Sequence, residues 1–270
     1  MKHEDVTIVM QGPLVSIYDG STAEGLQYLD NYLNLVDRII ISTWENSIGS
    51  FIDSADKIIG NKNITLVTED IAKYDDYYTN ANVVYQAASS LNGLKKVDTE
   101  YAIKLRCDEY YTDLSKFIDL MKSAPEKLTT SNLLFSSDIH EQFHPSDHIA
   151  GGYTKNILGM YQTAVDFCRK LPAGTDPIHC SQLGVEGYRN LYNNGLVSPE
   201  AFLCICFLMN KGVDIDCSQS IKIMKEHVQF IPLCDMGQFL CRIKGGDIRD
   251  YESFLYGSQG QFSVANMEEF

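Results

Sequence analysis

Short β-branched runs separated by longer helical stretches fill the first half of the chain. That alternation permits few folds, because strands joined by helical crossovers pair in parallel and need cover on both faces. The runs are Val6–Met10, Arg38–Ser42, Ile64–Val67, Tyr101–Arg106 and Leu133–Ser136, with helical candidates at Ala23–Asn34, Phe51–Ala55 and Asn80–Leu94 between them. In the last of these, Val83, Ala87, Leu91 and Leu94 form an apolar face, while Asn82, Gln86 and Ser89 share a polar stripe beside it. Beyond about residue 137 the pattern loosens: 140–152 reads as loop, Lys155–Lys170 as helix, and 175–194 as neither. Ser198-Pro199-Glu200 then supplies an N-cap, a first-position proline and a first-turn acid to the apolar helix Ala201–Asn210, which Gly212 ends. Val213–Ile215 and Ser220–Met224 are expected strands, and the polar tail from about Gly245 is expected to be peripheral. No repeat or low-complexity linker divides the 270 residues. The expectation is one α/β domain of Rossmann type, with a mostly parallel central sheet flanked by helices and an irregular C-terminal portion.

With 36 acidic against 22 basic side chains and a net charge of −14, the chain lacks the clustered cations that nucleic-acid backbones and anionic membranes select. No integral membrane segment is expected, since the longest apolar run, Ala201–Met209, falls far short of the roughly 20 residues that span a bilayer. The start, Met1-Lys2-His3-Glu4-Asp5, carries acids where a secretory signal is basic and then apolar. Eight cysteines without a Cys-x-x-Cys pair read as reduced thiols, and together these features predict a cytoplasmic location.

In open parallel sheets ligands bind at the carboxyl ends of the strands, so the residues after each run deserve inspection. They are Gln11-Gly12-Pro13, Thr43-Trp44-Glu45-Asn46, Thr68-Glu69-Asp70 and Cys107-Asp108-Glu109, all polar and turn-forming. No Gly-x-Gly-x-x-Gly follows the first strand, and neither a Gly-Lys-Ser/Thr phosphate loop nor a Gly-x-Ser-x-Gly elbow occurs. Dehydrogenase, P-loop and hydrolase chemistry therefore fall in rank. A nucleotide-binding α/β fold without a glycine-rich loop, holding a diphosphate through a metal and a carboxylate, is the GT-A glycosyltransferase architecture, and Asp108 is placed to be its metal or ribose ligand.

Several stretches in order resemble the WavE-type lipopolysaccharide-synthesis family. They are Val9-Met10-Gln11-Gly12-Pro13, Ile41-Ser42-Thr43-Trp44-Glu45, Asn82-x-x-x-Gln86-x-x-Ser89, Lys104-Leu105-Arg106-Cys107-Asp108, Phe143-His144-Pro145-Ser146-Asp147 and Pro199-Glu200. The resemblance spans about residues 6–210 and implies a GT-A-like fold that transfers a sugar from a nucleoside diphosphate donor to a surface glycan. It divides the chain into a nucleotide-binding half at 1–136, an acceptor and catalytic half at 137–244, and a tail at 245–270. Two positions depart from the expected pattern: Arg106-Cys107-Asp108 stands where a GT-A site has Asp-x-Asp, leaving Glu109 as the available helper, and Tyr85 stands where an arginine is expected.

In this reading Asp108 ligates Mn²⁺ or Mg²⁺ on the donor diphosphate. Glu200 is the general base that takes the acceptor hydroxyl proton, and Asp147 is the rival base or an acceptor contact. Gln11, Gly12, Pro13, Thr43, Asn82 and Gln86 serve nucleobase and ribose, Trp44 offers a stacking ring, and Arg106 offers a planar fork to the diphosphate. His140, His144 and His148 read as loop histidines, because Pro145 breaks the helix that would align them as a metal triad. Two rivals stay open: a non-catalytic glycan- or nucleotide-binding module of the same fold, and a phosphatase built on Asp214 and Asp216.

Overall fold

The computed structural model describes residues 2–14, 26, 28–47, 60–77, 83–132, 143–169, 198–242 and 248–250. The expected strand Leu133–Ser136, the expected helix Phe51–Ala55 and the ambiguous 175–194 lie outside these. Four of the five expected strands form: β1 (His3–Gln11), β2 (Val36–Trp44), β3 (Ile64–Glu69) and β4 (Tyr101–Arg106). Helix α1 (Leu29–Leu35) leads into β2, and α2 (Val83–Leu94) leads towards β4. All four strands run parallel, in the order β3-β2-β1-β4. The chain grows outward from β1 to β3 and then returns to β1's other side, so β1 and β4 flank a topological switch point. Gln11 pairs with Arg106 there, and the ladder runs on past it, with Cys107 N–H donating to Gln11 O at 2.8 Å.

After β4 come β5 (Glu109–Tyr111), α3 (Ser115–Ser123), β6 (Leu128–Ser131), β7 (Ala150–Tyr153) and α4 (Thr154–Cys168). They are followed by α5 (Pro199–Asn210), α6 (Ser220–His227), β8 (Val228–Ile231), β9 (Phe239–Arg242) and β10 (Ile248–Asp250). The main sheet reads β3-β2-β1-β4-β7-β6-β8, in which β7 alone is antiparallel to its neighbours, while β5, β9 and β10 form a small antiparallel sheet beside it. Strand alternation divides the core into two layers. Val9, Ile40 and Ala102 meet α2, α4 and α5 on one face, whereas Ile8, Met10, Ile39, Ile41, Ile103 and Leu105 meet α1 and α3 on the other. Helix α2 crosses so close to β1 and β2 that a Cβ on Gly93 would lie 2.5 Å from Val9 Cγ1 and 3.0 Å from Ser42 Cβ.

Three local expectations are corrected. Ser220–Met224 is the start of helix α6: Ile223 and Met224 bury while their neighbours stay wet, which is a helical stripe that a short window mistakes for strand alternation. Val213–Ile215 is irregular, because Val213 N–H returns to Leu208 O and closes the end of α5. The expected loop 140–152 ends in β7, whose Gly151 and Gly152 carry little strand signal; space requires Gly151, since a Cβ there would meet the Phe117 ring at 2.7 Å. The boundary at Ser198 forms as expected, with Ser198 Oγ accepting Ala201 N–H at 3.2 Å.

Candidate functional site

The switch point gathers residues from β1, α2, β4, β5, β6, the segment entering β7, and α5. At the end of β1, Gln11 is buried and its Oε1 accepts from Ser89 Oγ at 2.8 Å, which ties the strand end to α2. Gly12 follows with φ +117°, a conformation glycine alone adopts without strain, and its N–H reaches Ser42 O at 3.1 Å. Pro13 is exposed. One helical turn before Ser89, Gln86 Nε2 donates to Asp147 Oδ2 at 2.7 Å. The polar stripe read on α2 therefore faces the site through Gln86 and Ser89; Asn82 lies outside the described residues.

Strand β4 sends Lys104 and Arg106 to the same face. Lys104 is completely buried, its Nζ donating to the backbone carbonyl of Asp147 at 2.7 Å. Burial pushes its ammonium down to about 8, against the opposing pull of the Asp147 carboxylate. Arg106 Nε and Nη2 each lie 3.0 Å from an oxygen of Asp108, and Nε also lies 3.0 Å from Glu109 Oε1. Burial alone would raise the Asp108 carboxyl, but the guanidinium outweighs it and holds it below its ordinary value. Both Asp108 oxygens thus accept from Arg106, while 40% of the side chain stays exposed. Among the described residues, no group of three or more His, Cys, Asp or Glu is arranged to hold a metal ion.

The segment entering β7 completes the wall. Thr130 Oγ1 donates to the carbonyls of Ser146 and Ile149 at 2.8 Å, and Lys104 holds the carbonyl between them, so Asp147 is fixed on both sides. Burial would raise the Asp147 carboxyl, yet the charges of His148, Lys104 and Arg106 keep it low. His148 Nδ1 contacts Glu109 Oε1 at 2.5 Å, and its Nε2 lies 3.8 Å from Asp147 Oδ1. Burial would lower the His148 imidazole, but Glu109 and then Asp147 raise it. Opposite, the capped first turn of α5 presents Glu200, whose Oε2 lies 3.6 Å from His144 Nε2. Burial and, after it, the charge of Asp147 raise the Glu200 carboxyl above its ordinary value.

Not every expected site residue joins this group. Thr43 alternates to the other face of β2 and shares a 2.7 Å hydrogen bond with Ser47. Trp44 is 5% exposed and packs edge-on against Tyr74 and Tyr85, each at 6.0 Å between ring centroids, so Tyr85 in place of the expected arginine completes an aromatic cluster. Asp216 caps the turn after α5, accepting from Ser218 N–H at 2.9 Å and Gln219 Nε2 at 3.0 Å, and is thereby committed to local structure. His144 and His148 turn to Glu200 and Glu109 respectively, which separates two members of the candidate histidine triad; His140 lies outside the described residues. The buried Lys104 and the Glu109–His148 contact join the site without having been among its expected residues. The alternation of Lys104 and Arg106 on a central strand was the signal, since a lysine buried on both sides must have a polar destination.

Solved structures similar to the chain include HddC from Yersinia pseudotuberculosis, 14% identical over 67% of this chain and 85% of that one, with a TM-score of 0.37. A second is 4-diphosphocytidyl-2C-methyl-D-erythritol synthase from Anaerococcus prevotii, 12% identical over 85% of this chain and 89% of that one, with a TM-score of 0.43. No curated protein matches the chain. The family model for WavE lipopolysaccharide synthesis matches residues 6–227, a span that runs from β1 through α6 and contains every side chain of the switch-point cluster. By that match, the chain belongs to the WavE lipopolysaccharide synthesis family.

Proposed function

We propose that the chain transfers a sugar from a nucleoside diphosphate donor to a glycan acceptor, in one displacement that inverts the anomeric carbon. Membership ties the chain to lipopolysaccharide synthesis. The observation that carries the reading is the meeting of Glu200 and Asp147 with Gln11, Gln86 and Arg106 at the carboxyl ends of β1 and β4. The acceptor hydroxyl oxygen bonds to the anomeric carbon as the bond from that carbon to the phosphate oxygen breaks. The electron pair leaves with the diphosphate, and the hydroxyl proton passes to a carboxylate.

Glu200 is the better proton acceptor of the two. Its carboxyl is raised by burial and by Asp147, which brings its basicity closer to neutral pH, where general-base catalysis is most effective. Asp147 stays ionised among Lys104, His148 and Gln86, and it orients the acceptor as a fixed anion. Gln11 and Gly12 line the donor side, where a backbone without a side chain lets a nucleotide approach closely. The test is incubation with a panel of nucleotide sugars and a lipopolysaccharide-type oligosaccharide, with the product mass read by mass spectrometry and its anomeric configuration by NMR. One donor is expected to be consumed with inverted product. No binding of any nucleoside diphosphate, or binding without donor consumption, refutes the proposal.

A further inference from the structure

At the switch point, Arg106 and His148 converge on Glu109, at the first position of β5. Its side chain is 2% exposed, and Oε1 receives Arg106 Nε at 3.0 Å and His148 Nδ1 at 2.5 Å. Oε2 has no hydrogen-bond partner among the described residues. Burying an ionised carboxylate is costly, so one placed between two donors acts chiefly by fixing them. The register explains why it can reach both: β4 pairs antiparallel with β7 through Lys104 and Ala150, and continuing that register past the ladder brings His148 alongside Arg106.

The same contacts decide what is left over. With Nδ1 on Glu109, the imidazole keeps Nε2, which is too far from Asp147 at 3.8 Å to hydrogen-bond it, and 15% of the side chain remains exposed. Arg106 uses Nε and Nη2 on Glu109 and Asp108, leaving Nη1, with 34% of its side chain exposed. A fixed guanidinium nitrogen and a fixed imidazole nitrogen, the latter an N–H donor in the doubly protonated ring, thus lie at the switch point, where a nucleotide's phosphates would rest.

We propose that Glu109 is the positioning residue of the donor site, holding Arg106 and His148 as paired N–H donors to the diphosphate of the nucleotide sugar. This rests on the transferase reading above. It gives Glu109 an orienting role distinct from metal ligation, and it gives His148 a substrate contact.

The test is calorimetric titration of the wild type and variants with a nucleoside and its diphosphate, in EDTA and again with Mn²⁺. Glu109→Gln is expected to lower the ratio of diphosphate to nucleoside affinity about tenfold or more, the size of one charge-assisted hydrogen bond. Nucleoside affinity should change less than about twofold on the same scale, which also reports that the variant is folded. His148→Asn and Arg106→Lys should lower the ratio too, Glu109→Asp should recover part of it, and adding His148→Asn to Glu109→Gln should cost little more. A merely structural role would move both affinities together and leave the ratio unchanged, which overturns the proposal. So does a wild-type ratio that arises only with Mn²⁺. A wild type that binds no nucleoside diphosphate in either condition overturns the transferase reading along with it.

Discussion

Replacing Lys104 with methionine tests the most unusual charge in the fold. The ammonium is completely buried, faces Asp147, Arg106, Glu109 and Asp108, and has its affinity for a proton pushed from 10.5 down to about 8. In the unfolded chain the same lysine keeps its ordinary value. Between those two values the unfolded state holds one more proton than the native state, so stability attributable to Lys104 rises with pH across this window. At about 1.36 kcal/mol per unit the gap is worth about 3 kcal/mol. Urea unfolding of wild type and Lys104→Met, measured from about pH 7 to pH 10.5, gives the difference in stability at each pH; titrations common to both proteins cancel. The wild type should gain about 3 kcal/mol on the variant between pH 8 and pH 10.5, and little below pH 8. A constant offset across the range, whatever its sign, refutes the argument that the ammonium is buried at the expense of its charge. An offset that falls with rising pH would mean that attraction to Asp147 outweighs burial.

Glu200→Gln should abolish transfer while leaving nucleotide binding intact. In the wild type, turnover should rise with pH through a midpoint above the ordinary carboxyl value of 4.5, because a proton acceptor must be ionised to work. Gly93→Ala adds a methyl group 2.5 Å from Val9 Cγ1, and overpacking of that kind should lower stability by about 1–3 kcal/mol, read as a fall in Tm. Any gain in Tm would mean that α2 can lift off β1. Ser198→Ala removes the cap on Ala201 N–H and should cost about 1 kcal/mol in thermal unfolding. A loss of turnover beyond that seen for an equally destabilised variant elsewhere would tie the cap to the placement of Glu200.

The parallel half of the fold was legible because each of its strands carries its own signal: β-branched residues and a polar turn at the carboxyl end. β7 was not, because Ala150-Gly151-Gly152-Tyr153 is a strand made by its surroundings, with glycine where the Phe117 ring leaves no room. α6 failed for a different reason, its short window fitting either period. At the site, Gln86, Ser89, Arg106, Asp147 and Glu200 were marked by spacing and by position after strands or at a helix start. The contacts that organise them were out of reach. That Asp108 turns back on Arg106 is set by the turn after β4, and that His148 reaches Glu109 rather than another histidine depends on antiparallel register across β4 and β7, which sequence separation hides. Trp44 shows the opposite error: its place after a strand suggested an open ring, while Tyr74 and Tyr85 close around it.

The reversed direction of β7 has a consequence for how such a protein changes its substrate. Since β6 runs with β1 and β4 while β7 runs against them, β6 ends and β7 begins at the end of the sheet where Gln11 and Arg106 lie. Substitutions in residues 143–149, which lead into β7, would reshape the surroundings of Asp147 while the parallel strands and their register stayed as they are. On the transferase reading proposed above, the residues entering β7 are thus where acceptor choice is altered without rebuilding the parallel strands.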